Sequence, residues 1–121
     1  MSRVVHFELT ADKPERAVRF YEEAFGWKIE PWEGDVPYWL CTTGDSDNPG
    51  IDGAIMKREQ GTQNNFSIST DNIAQSIEKI KKAGGTILSD VITIPTIGYS
   101  VYFKDTEDNL LNLFKWDCDA E

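Results

Sequence analysis

The chain has 121 residues, one domain by length, and its 40% hydrophobic and 27% charged residues make an ordinary globular balance that does not indicate disorder. A formal charge of −9 with no contiguous basic stripe points away from nucleic acid, because a phosphate-binding surface needs a Lys/Arg excess. The apolar run in MSRVVHFEL is too short for a signal peptide or a membrane span, and two cysteines make no disulfide framework, so a soluble cytoplasmic protein is expected.

The first strand is read over Val4 to Thr10. Val5, Phe7 and Leu9 alternate there with His6 and Glu8, so the only histidine and a carboxylate share one face. The stretch ADKPERAVRFYEEAFGW then carries helix signals in order. Asp12 can cap, Pro14 lies in the first turn and Glu15 is a capping-box partner; Ala17, Val18, Tyr21, Ala24 and Phe25 follow at helical spacing, with Gly26 as the stop. WKIEPW and YWLCTTG read as strands, and GIDGAIMKR as another after the turn GDSDNPG; Cys41 reads as a small buried hydrophobe. Beyond the polar connection REQGTQNN, NFSIST is strand-like. DNIAQSIEKIKKAGG is a helix with Ile73, Ile77, Ile80 and Ala83 in register and a Gly-Gly stop. TILSDVITI and GYSVYFKD read as strands, TEDN as a turn and LLNLFKW as the last strand, before an acidic tail, DCDAE, expected to fray.

The second half repeats the first. Phe7 to Asp12 lies over Phe66 to Asp71 at a constant offset of 59, which also places Val18 on Ile77, Tyr21 on Ile80 and Gly26 on Gly85. In the last strands the same offset sets Gly53 on Asn112 and Ile55 on Phe114. The expected fold is α+β: a single domain over 1–121 made of two βαβββ modules, about 3–58 and about 64–116, with 117–121 as the tail. Each helix covers one sheet face, so the modules are expected to form a curved mixed sheet around a central cleft. Val5, Phe7, Leu9, Phe66, Ile68, Leu111 and Leu113 fall on the helix side; His6, Glu8, Asn65, Ser67, Leu110, Asn112 and Phe114 fall on the cleft side. Strand and loop aromatics, among them Trp39, Tyr99, Tyr102 and Phe114, suit the lining of a small-molecule pocket.

Over Val4 to Trp116 the sequence resembles the vicinal oxygen chelate superfamily, which includes glyoxalase I, extradiol dioxygenases, and fosfomycin- and bleomycin-resistance proteins. The likeness rests on VHFELTADKPERAVRFYEEAFGW and on FKDTEDNLLNLF, which is similar to the family ending D-P-[DE]-G-N-x-x-E-L with Thr106 for Pro, Asp108 for Gly and Asn112 for Glu. In metal-dependent members the first and last strands of each module supply the ligands. The resemblance implies His6, Asn65, Asn112 and a position at Gly53, give or take a residue, for this chain. One imidazole and two amides bring no negative charge to a divalent ion. Glu8 would have to add the carboxylate from a position about 6–7 Å along the strand. Two readings therefore stand. The chain binds a small organic molecule in its cleft without a complete metal site or other cofactor, with Asn65, Asn112, Trp39, Tyr102, Phe114 and Tyr99 contacting the ligand and His6 and Glu8 available as acid and base. Alternatively it is a divalent-metal-dependent lyase, isomerase or dioxygenase-type enzyme using His6 and Glu8. The resemblance also implies a homodimer.

Overall fold

A computed structural model describes residues 2–121. The chain divides into two compact units, His6–Asn64 and a second made of residues 2–5 with Asn65–Glu121. Each has the expected α+β content, one helix over a mixed sheet.

In the first unit the strands β1 (Val4–Ala11, here from His6 on), β2 (Lys28–Pro31), β3 (Tyr38–Thr42) and β4 (Gly53–Lys57) run in the order β2-β3-β4-β1. Strands β1 and β4 are parallel; the other pairs are antiparallel. The helix α1 (Pro14–Phe25) lies in the connection between β1 and β2 and covers the face that carries Phe7, Leu9 and Ala11. Ala17, Val18 and Tyr21 of α1 pack there against buried Ile29, Cys41 and Ile55. Period-2 and period-3.6 patterns thus meet on one core.

The start of α1 departs from expectation. Lys13, not Asp12, is the N-cap, and no side chain caps the helix. Proline at the first helical position fixes the boundary one residue later. The Asp12 carboxylate instead pairs with Arg58 at 2.9 Å, beside the end of β4. Gly26 ends the helix in the left-handed region (φ 71°), as glycine there should. Phe25 does not turn inward with the helical pattern; it is 63% exposed and stands against Tyr21 and Trp27 at the rim.

In the second unit β5 (Asn65–Ser69), β6 (Thr86–Ile87), β7 (Ile92–Ile94), β8 (Gly98–Lys104) and β9 (Leu110–Trp116) run in the order β5-β9-β8-β6, with β7 also pairing β8. The helix α2 (Ile73–Lys82) is capped by Asn72, whose side chain accepts from the Gln75 N–H. It packs Ile73, Ile77 and Ile80 on Val101, Phe103 and Leu113. TILSDVITI is not one strand but two short ones. The Ser89 hydroxyl accepts the Tyr102 N–H at 3.0 Å, and a serine side chain that takes a ladder hydrogen bond interrupts the strand.

The last five residues are not frayed. Ala120 is buried, its carbonyl accepts the Thr96 N–H at 3.0 Å, and the Asp117 N–H donates to Ile97. Thr96 has φ 66° in a turn closed by Ile97 N–H to Ile94 C=O, with Pro95 at its second position. That turn wants glycine third, and a β-branched residue there is strained. Thr96→Gly is expected to stabilise the protein by about 1 kcal/mol, a rise in Tm of roughly 3–6 °C in thermal unfolding; a fall would contradict this turn assignment.

The closing turn before β9 is built on Asp105, whose carboxylate accepts from the Glu107 and Asn109 N–H groups and the Asn109 amide. The Asn109 side-chain hydrogen bond, first among these, holds the Asp105 carboxyl below its ordinary range. Asp108 takes the left-handed conformation (φ 67°) where the family ending has glycine.

Candidate functional site

His6 and Glu8 stand two residues apart on β1 and so project from the face opposite α1. Tyr38, the first residue of β3, reaches both. Its hydroxyl donates to Glu8 Oε2 at 2.8 Å and lies 3.0 Å from His6 Nε2. Between β1 and β3 runs β4, and Ala54 of that strand pairs with Glu8 on one side and Leu40 on the other. Ala54 is fully buried and presents only a methyl group, so the tyrosine can cross the intervening strand. The Trp32 and Tyr38 rings pack edge-to-face at a centroid distance of 5.8 Å.

Glu8 is 7% exposed, a low value for a carboxylate, and a hydrogen-bond donor is what makes such burial tolerable. Burial holds His6 below its ordinary pKa, against the opposing pull of the Glu8 and Asp52 charges, so its imidazole is biased toward the neutral form. The result is a linked histidine, tyrosine and carboxylate on one strand face. Such groups can donate and accept hydrogen bonds and protons.

The amides belong to the second unit. Asn112 on β9 donates its side-chain N–H to Asn65 Oδ1 on β5 at 2.9 Å, with both residues buried. Tyr102 pairs with Asn112 across β8 and β9, and Phe114, two residues on, shares its face and packs edge-on against Trp116 at 4.5 Å. Tyr102, Phe114, Asn65 and Asn112 are therefore brought to one face of that unit's sheet. Tyr99 is not. It pairs with Lys115, lies on the parity of Val101 and Phe103, and lines an open groove of about 450 Å³ beside α2 with Ile73, Ile77 and Val91. Trp39 likewise falls on the helix side of its sheet, paired with Ile55 and packed on the first core. One residue of strand parity separates it from Tyr38, which occupies the His6 and Glu8 face.

Strand register also narrows the fourth ligand position, expected within a residue of Gly53. Glu8 pairs with Ala54 and Ser67 pairs with Asn112, and Glu8 and Ser67 are equivalent by the offset of 59. The counterpart of Asn112 is therefore Ala54, not Gly53, and it supplies no donor atom. Gly53 has a packing role instead, because a Cβ there would enter the ring of Phe7. Among the described residues no three His, Cys, Asp or Glu side chains gather as a metal-binding group. The Asn65 carbonyl oxygen, the only atom of that amide able to ligate, already accepts from Asn112.

Cys41 is buried, and that burial pushes its thiol up to about 11, with the Asp52 charge adding to the effect. Cys118 is exposed. A thiol-disulfide reagent at neutral pH is expected to modify one thiol per folded chain and to lose that reaction in Cys118→Ser; fast modification of two would contradict the buried place of Cys41.

No helix among the described residues is long and apolar enough to cross a membrane. Residues 3–113 match the family described as Glyoxalase/Bleomycin resistance protein/Dioxygenase superfamily. A glyoxylase-like domain-containing protein of Didymella fabae is 35% identical over 108 residues, covering 84% of each chain. Among solved structures, methylmalonyl-CoA epimerase from Mycobacterium tuberculosis matches with a TM-score of 0.73 at 9% identity, over 94% of this chain and 87% of that one. A superfamily member from Vibrio splendidus 12B01 matches with a TM-score of 0.68 at 16% identity, over 95% and 99% of the two chains.

Proposed function

The chain belongs to the glyoxalase/bleomycin resistance protein/dioxygenase superfamily, and from that premise we propose that it binds a small organic molecule without a complete metal site. The ligand sits on the strand face of the first unit that carries His6, Tyr38 and Glu8. The observation that supports this reading most is the hydrogen-bonded array itself: the family's first ligand position holds a histidine whose Nε2 is engaged by a tyrosine hydroxyl tied to a buried carboxylate. Such an array suits hydrogen-bonding and acid/base work on a ligand. A transition metal would need more nitrogen, sulfur or charged oxygen donors than these residues supply.

The test is a thermal-shift screen of small metabolites with a chelator present. A ligand that raises the melting temperature with chelator, and loses that effect in His6→Ala, is the expected result. A chain that is destabilised by chelator alone, and shifted by no ligand, would sink the proposal.

A further inference from the structure

We propose that Tyr38 fixes His6 as the Nε2–H tautomer and leaves Nδ1 as an acceptor, so that the ligand is not an anion and enters through an N–H or O–H donor. This rests on the metal-free reading above and names its ligand class.

The direction follows from counting protons. A tyrosine hydroxyl has one proton, and the Glu8 oxygen it meets is the acceptor. The Tyr38 proton is directed to Glu8 Oε2 at 2.8 Å. What lies between His6 Nε2 and the same hydroxyl oxygen at 3.0 Å must then be the histidine proton, donated by Nε2. A neutral imidazole carries one N–H, so Nδ1 holds a lone pair. Among the described residues the hydrogen bond to Tyr38 is the one that the His6 side chain makes, which leaves Nδ1 without a partner among them.

The surroundings select against anions. Glu8 and Asp52 both bear on the His6 ring, and burial works against placing a cation there to offset an incoming carboxylate. The Asp52 carboxylate accepts the Thr43 N–H at 2.8 Å. A carboxylate ligand would bring a third negative charge and no proton for Nδ1. A phenol, enol, amide or alcohol brings the proton and no charge. Tyr38 is thus a positioning residue, acting on the ligand through His6.

Because the chain has one histidine, nitrogen NMR of 15N-labelled protein reads this state without ambiguity. At neutral pH and without metal, the expected spectrum has a protonated-type Nε2 and an unprotonated-type Nδ1. Tyr38→Phe should turn this into mixed tautomers while the amide spectrum stays folded. Should that variant unfold, Glu8→Gln is read instead, since its amide no longer fixes the direction of the Tyr38 proton. Phenol at millimolar concentration should shift the Nδ1 signal, and anisole, which has the ring without the donor, should not. An Nδ1–H tautomer or an imidazolium in the wild type would overturn the proposal, as would a spectrum indifferent to both substitutions. Failure of phenol to shift Nδ1, or an equal response to anisole, would overturn the ligand class. Added Zn²⁺ separates the two readings: stoichiometric zinc on His6 defeats the metal-free proposal, whereas the tautomer is decided by the metal-free spectrum alone.

Discussion

Gly98→Ala is expected to cost about 3 kcal/mol or more, a large share of the roughly 5–15 kcal/mol that holds a domain of this size together. Gly98 pairs with Trp116 where β8 meets β9, and a Cβ there would land on the backbone carbonyl of Lys115 and press on the ring of Phe114. Backbone cannot step aside without opening the ladder that carries Asn112 and Tyr102. Gly53→Ala should behave differently. Its new methyl group would meet the Phe7 ring, a side chain that can tilt, so a loss of about 1–3 kcal/mol is expected there. Urea titration of both variants measures the difference. A Gly98→Ala protein within about 0.5 kcal/mol of the wild type would show that β8 and β9 do not approach this closely.

Ile55→Ala is expected to cost about 2–5 kcal/mol, the range for emptying a well-packed aliphatic site. Ile55 is fully buried in the first core, paired with Leu9 on one side and Trp39 on the other. Those pairs hold β1 and β3 on either side of β4, and the residues before Leu9 and Trp39 in the chain are Glu8 and Tyr38. The cavity left by the truncated side chain would loosen the strands that bring Tyr38 within 2.8 Å of Glu8. The variant should therefore weaken His6 tautomer order as well as stability. A loss of stability below about 1 kcal/mol would mean that the site collapses without penalty, and that the packing described for β4 is wrong.

Much of the fold was legible because its signals are local and repeated. The helical spacing of Ile73, Ile77 and Ile80 and the stop at Gly26 both survive in the structure, whereas the Asp that closes the F-x-[LI]-[ST]-x-D junction is the N-cap in neither helix. Asp12 misleads because the cap position moves with Pro14, and a carboxylate near Arg58 has a second option. The site was harder to read for a reason of parity. Tyr38 and Trp39 are adjacent aromatics at the start of a strand, so alternation alone does not say which faces His6. Only the pairing of Trp39 with Ile55 assigns it to the helix side. Carrying one offset through to the last strands leaves a similar one-residue uncertainty, which register resolves from Gly53 to Ala54. Side-chain period in a sheet is two, so each such slip moves a residue to the other face.

The most direct measurement of the central claim is elemental analysis of the purified protein, paired with melting curves after addition of Zn²⁺, Ni²⁺, Mn²⁺ or Fe²⁺. If His6, Tyr38 and Glu8 form a metal-free array, metal content stays well below one per chain and none of the four ions raises the melting temperature. One equivalent of bound metal in the wild type, absent from His6→Ala, would contradict the account.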